Sequence, residues 1–183
     1  MKSAALIALV MMMTATMARA QLSNENLLVA MPPGYKIGYR VERGNMVMSE
    51  MVPTGETVEA WTEMVTVQVF HGLKAQPEKF RDTLQQRWVA ACRGGRGTTV
   101  TSASENGYPV LVWRLDCPEN PQTGKPEITW FKAIAGNDSF YLVQKAFKFT
   151  PSQQQIERWT AYLNSVAVCD TRITARACPQ TTK

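Results

Sequence analysis

The fifteen residues from Glu56 to Phe70, ETVEAWTEMVTVQVF, form the longest stretch dominated by β-branched and aromatic side chains, and neither Pro nor Gly interrupts it. On a strand of period two, Trp61, Val65, Val67 and Val69 fall on one side. Thr62, Met64, Thr66, Gln68 and Phe70 fall on the other. Both sides carry sizeable apolar groups, which predicts a central strand covered on both faces. A sheet of that kind needs a helix for each face, and the rest of the chain supplies two.

The first helix is expected from Pro77, which suits a first helical position because its missing N–H is not needed there. Phe80, Leu84, Trp88 and Ala91 repeat as one apolar stripe, and Gly94-Gly95 ends the helix just beyond Cys92. The second opens with Thr150 as a cap, Pro151 at the first helical position and Gln153 completing a capping box. Its buried stripe is Ile156, Trp159, Leu163 and Val166.

Strands fill the intervals. After a lead-in from Gln21 to Pro32-Pro33-Gly34, residues Lys36 to Arg43 alternate, Gly44-Asn45 makes a two-residue hairpin, and Met46 to Val52 returns. Pro53-Thr54-Gly55 turns into the central strand. Beyond the first helix, Thr98 to Glu105 is polar enough to lie at an edge, and Asn106-Gly107 has type I′ hairpin chemistry. Tyr108 to Cys117 follows, then a loop from Pro118 to Pro126, then a hairpin of Glu127 to Ala135 with Phe140 to Phe149. The order is β-β-β-α-β-β-β-β-α with short connections. It predicts a single α+β domain over residues 21–168, with a largely antiparallel sheet of about six or seven strands and one amphipathic helix on each face.

The first twenty residues stand outside this scheme. Lys2, the apolar run from Ala4 to Met13, and Ala18-Arg19-Ala20 have the layout of a cleaved export signal. No later stretch approaches the roughly 18 apolar residues of a membrane helix, so the mature chain is expected to be periplasmic or secreted. Removing those twenty residues from 183 leaves 163, with 18 basic against 15 acidic side chains. That mild bias lacks the like-charge runs of a nucleic-acid footprint.

All four cysteines, Cys92, Cys117, Cys169 and Cys178, lie in the mature part, and an even count in an exported chain predicts two disulfides. Of three connectivities we prefer Cys92–Cys117 with Cys169–Cys178: the second pair is local, and the first then joins two core elements. The polar stretch at 169–183 becomes a tail that a disulfide tethers. A zinc site would need a C-x-x-C spacing, and none occurs.

Three strands leading into PEKFRDTLQQRWVAAC, then a meander and a closing TPSQQQIERWTAYLNSV, resemble the PsbP-like fold over roughly Leu28 to Val168. The resemblance is one of element order. It implies a helix/sheet/helix sandwich and a binding or assembly role rather than catalysis, and it assigns no functional residue.

The side chains suggest little chemistry. His71 is the single histidine, at the end of the central strand, and no G-x-S-x-G, H-E-x-x-H or phosphate-loop motif occurs. Glu50, Glu56, Glu59 and Glu63 cluster in sequence, which raises the two-carboxylate chemistry of an envelope hydrolase. Met46 and Met48 share a strand face, with Met51 and Met64 nearby, and with His71 and Trp61 they raise periplasmic Cu(I) binding. The ordinary reading of such methionines is gap-filling between sheet and helix. Trp61, Trp88, Trp113, Trp130 and Trp159 are expected in the core; an exposed Trp130 or Pro118–Pro126 loop would instead suggest a recognition surface. We assign no catalytic, cofactor or metal residue. The expectation is a non-catalytic binding or assembly protein of the bacterial envelope, with an envelope protein or glycan as partner.

Overall fold

A computed structural model describes residues 22–179. The expected export signal and the last residues of the polar tail lie outside them. Nine strands and two helices run in the order β1 (Glu25–Leu28), β2 (Tyr35–Arg43), β3 (Met46–Pro53), β4 (Glu63–His71), α1 (Pro77–Ala91), β5 (Arg96–Glu105), β6 (Tyr108–Asn120), β7 (Lys125–Ala135), β8 (Ser139–Phe147), α2 (Gln153–Ser165) and β9 (Ala167–Asp170). Seven strands form one sheet in the order β2-β3-β4-β8-β7-β6-β5, every neighbouring pair antiparallel. This is the α+β single domain that the periodicity predicts.

Each face carries one helix. Phe80, Leu84 and Trp88 of α1 pack against Leu111, Trp113, Leu115, Phe131, Phe140 and Leu142. On the opposite face Trp159 and Leu163 of α2 pack among Val65, Val67, Val110, Trp130, Tyr141, Val143 and Phe147. Alternation along β6 explains the division: Leu111, Trp113 and Leu115 point one way, and Val110 and Val112 the other. Trp113 stacks on Phe131 with ring centroids 4.9 Å apart. Ala91, expected on the α1 stripe, is exposed.

Four sequence expectations need correction. The strand expected from Glu56 begins only at Glu63, because the Glu56 carboxylate accepts hydrogen bonds from the Thr62 N–H (2.7 Å) and hydroxyl (2.6 Å) and closes residues 56–62 into a loop. The loop expected over Pro118–Pro126 is mostly strand. β6 runs on to Asn120 through an irregular register beside Pro118, and the turn shrinks to residues 121–124. The Asn120 carbonyl accepts the N–H groups of Thr123 and Gly124 there. The lead-in contains a strand, since β1 pairs antiparallel with β9 in a separate two-stranded ribbon, and Cys169 and Asp170 belong to β9 rather than to a tail. The cap of α2 is Ser152 instead of Thr150, with Gln155 in place of Gln153 as its partner.

The Ser152 hydroxyl accepts the Gln155 N–H, and the Gln155 side chain accepts the Ser152 N–H at 2.8 Å. Pro151 and Ile156 then occupy the positions that flank a capped first turn. Ser152→Ala is expected to cost about 1 kcal/mol in urea unfolding, whereas Thr150→Ala should leave the midpoint unchanged.

Both disulfides have the preferred pairing, Cys92–Cys117 and Cys169–Cys178. A carboxylate anchors the ribbon: Glu25 accepts the N–H groups of Asn137 (2.5 Å), Asp138 (3.0 Å) and Ser139 (3.2 Å) and the Tyr141 hydroxyl (3.0 Å). Asp170, fully buried, is held by Arg172 at 2.6 Å, and that contact keeps its carboxyl low, at about 2.

Candidate interaction surface

The two helices cover the sheet unequally. α1 packs over β5, β6 and β7 and reaches β4 at Phe70, 6.0 Å from Phe80 between ring centroids, leaving β2, β3 and the rest of β4 on that face without a helix among the described residues. Strand register fixes what that half displays. Tyr39, Glu50, Thr66 and Gln144 line up across β2, β3, β4 and β8 as one row, and Val41, Met48, Gln68 and Leu142 as the next. Tyr39 is exposed, and Val41, Met46, Met48, Glu50, Thr66, Gln68 and Gln144 are half-buried.

A short polar relay runs across this half-sheet. The Gln144 amide donates to the Gln68 carbonyl oxygen at 2.8 Å, and the Gln68 amide donates to the Met48 sulfur at 3.8 Å. The relay ties the two glutamine side chains to each other and to Met48, and each amide has further donor or acceptor capacity beyond these bonds. Burial pushes the Glu50 carboxyl above its ordinary value. The surface thus combines amides, thioethers, one aromatic and one carboxyl.

A second polar cluster lies under α2. Lys145, fully buried, donates to the Glu63 carboxylate and the Tyr35 hydroxyl, each at 2.8 Å, and its ammonium sits 3.7 Å from the Trp159 ring centre. Burial lowers its pKa from the usual 10.5 to about 8, against the pull of Glu63. Burial and the Glu63 charge push the Tyr35 hydroxyl far above its usual range. A lysine so tuned has the basicity of a catalytic base, yet its ammonium has no solvent access and its donors are spoken for. Lys132, equally buried, bonds Glu105 at 2.6 Å and the α2-end carbonyls of Leu163 (3.1 Å) and Val166 (2.8 Å). It neutralises the negative end of that helix.

The residues singled out in the sequence do not converge. Glu50 lies on the α1 face and Glu63 on the α2 face under Lys145, Glu56 is bound to Thr62, and Glu59 is exposed. Met46 and Met48 do share a face, whereas Met51 pairs with Val65 on the other. His71 ends β4 with the opposite phase to Met46 and Met48, and its Nδ1 is 3.2 Å from the Ser139 hydroxyl. Trp61, expected on a strand in the core, is half-buried in the loop before β4, with the Lys148 ammonium 3.9 Å from its ring centre. Among the described residues no group of three His, Cys, Asp or Glu could hold a metal ion. Trp113, Trp130 and Trp159 are buried, and Trp88 is half-buried with its indole N–H on the Asp116 carbonyl at 3.1 Å.

No family model matches the chain, and no curated protein matches it. Among solved structures it is similar to the Ran-binding protein Mog1p of Saccharomyces cerevisiae, at 10% identity and a TM-score of 0.43, over 77% of this chain and 85% of that one.

Proposed function

We propose that this is a non-catalytic binding or assembly protein of the bacterial cell envelope, exported by its N-terminal segment, that holds an envelope protein or glycan on the helix-free half-sheet. The supporting observation is the group of Met48, Gln68 and Gln144, linked by hydrogen bonds, with exposed Tyr39 beside it and no helix of the described residues over them. Two disulfides fit an oxidising compartment, and no helix among the described residues is long and apolar enough to cross a membrane. The hydrolase reading has weaker support, because its carboxylates lie on opposite faces. Cu(I) binding has only the two thioethers of Met46 and Met48 on one face.

Immobilised wild type, a Met48→Lys/Gln144→Lys variant and a Val89→Lys control on the exposed side of α1 can be compared for retention of envelope proteins and of purified cell-wall glycan. Wild type and control should retain one common partner, with retention by the face variant about tenfold lower or less. Equal retention by all three would show that the half-sheet is not the binding surface.

A further inference from the structure

The edge strand β2 borders this half-sheet, and its sequence is complementary to itself in one register. The bulge at Gly38, between Ile37 and Tyr39, divides the strand, so only Tyr39 to Arg43 continues without interruption. Within that run Tyr39, Val41 and Arg43 share the α1 face, and Arg40 and Glu42 share the α2 face.

The turn fixes which backbone groups are free. Gly44 has φ 57 while Asn45 is not at positive φ, the pattern of a two-residue type II′ hairpin. In such a hairpin the closing pair, here Arg43 and Met46, exchanges both hydrogen bonds, and bonded and non-bonded pairs then alternate. Arg43, Val41 and Tyr39 therefore spend their N–H and C=O groups on β3. Those of Arg40 and Glu42 point out from the sheet edge.

We propose that two copies of this chain pair antiparallel along β2, about a two-fold axis at Val41. Arg40 of each protomer then exchanges backbone hydrogen bonds with Glu42 of the other, and their opposite charges meet on the α2 face. On the α1 face Tyr39 meets Arg43 of the other copy, an aromatic–guanidinium pair, and Val41 meets Val41. Shifting the axis to Arg40 sets two guanidiniums face to face, and shifting it to Glu42 sets two carboxylates so. Both Arg40 and Glu42 are exposed, and neither forms an ion pair with another described residue. Charges and a bulge on an edge strand ordinarily deter pairing. Here they leave one permitted register, the isologous one. The axis stands perpendicular to the sheet, so pairing joins the two helix-free half-sheets into one continuous surface.

Five residues a side make a small contact, so association is weak and concentration-dependent. Sedimentation of the disulfide-bonded protein up to about 1 mM reads it. Arg40→Glu alone and Glu42→Arg alone each set like charges against each other and should weaken association about tenfold or more. An equimolar mixture of the two single variants opposes two carboxylates with two guanidiniums and should restore it, as should the Arg40→Glu/Glu42→Arg double variant. Circular dichroism checks that these exposed substitutions leave the fold intact. A wild type that stays monomeric to the highest concentration overturns the proposal, even if a foreign strand binds the edge. So does association that the single substitutions leave unchanged, or single variants whose mixture fails to associate.

Discussion

Replacing Glu63 with leucine is expected to lower the unfolding free energy by about 3 kcal/mol or more at pH 7. The ammonium of Lys145 would keep Tyr35 and the Trp159 ring but lose the carboxylate it is ion-paired with, in a site without solvent access. The reverse substitution, Lys145→Met, should cost less. Glu63 retains the Tyr35 hydroxyl, at 2.9 Å, and part of its side chain reaches water. The double variant Lys145→Met/Glu63→Leu should come close to wild type, because a buried pair recovers little more than its own desolvation cost. Urea unfolding of the four proteins gives the coupling directly. Additive single effects would show that the pair is no unit.

The same lysine gives the stability a particular pH dependence. Its folded pKa of about 8 lies below its unfolded value near 10.5, so between these pH values the unfolded chain binds more protons. Stability must then rise with pH across this window, since the burial penalty on the charged form is present below 8 and is relieved above it. The full effect of such a shift is about 3 kcal/mol. Tyr35 and Tyr141 act the other way, because burial raises both and the unfolded chain loses their protons first, above pH 10. The profile should therefore climb from pH 8, turn over near pH 10, and lose its climb in Lys145→Met.

Both buried lysines were legible in principle. Lys132 falls in phase with Trp130 and Ile134, and Lys145 with Tyr141, Val143 and Phe147, so each interrupts an otherwise apolar side of a strand. The interruption marks a buried charge; its partners, Glu105 on β5 and Glu63 on β4, emerge only from strand order. The ribbon of β1 and β9 was hidden for another reason. ENLL and AVCD are each four residues long, and neither carries a pattern until the chain ends meet. Residues Glu56–Thr62 show the converse, a strand-like composition overridden by a single carboxylate that binds six residues ahead. Helices and hairpins were readable because their signals are local: the 3.6-residue stripes of α1 and α2, and the Asn106-Gly107 turn with φ 49 and 73. The half-sheet was visible only as Met46 and Met48 two residues apart. Gln68 meeting Gln144 across two strands needed the register.

Removing the Cys92–Cys117 bridge by alanine at both positions is expected to cost about 3.5 kcal/mol, against about 2.6 kcal/mol for Cys169–Cys178, from the chain entropy of loops with separations of 25 and 9 residues. The local consequences should differ more than the totals. α1 has no side-chain cap at Gln76, only Pro77 is fully buried along it, and its stripe rests half-buried on the sheet. Its C-terminal end is held to β6 by the bridge and by the Trp88 indole on Asp116. Without the bridge, the last turns of α1 should lose hydrogen-exchange protection well before the sheet does. The Cys169–Cys178 variant should instead loosen the segment after β9, because β9 itself stays paired with β1. Comparable protection of α1 in both variants, or a larger loss of stability from the shorter loop, would mean that packing rather than the covalent link holds α1 in place.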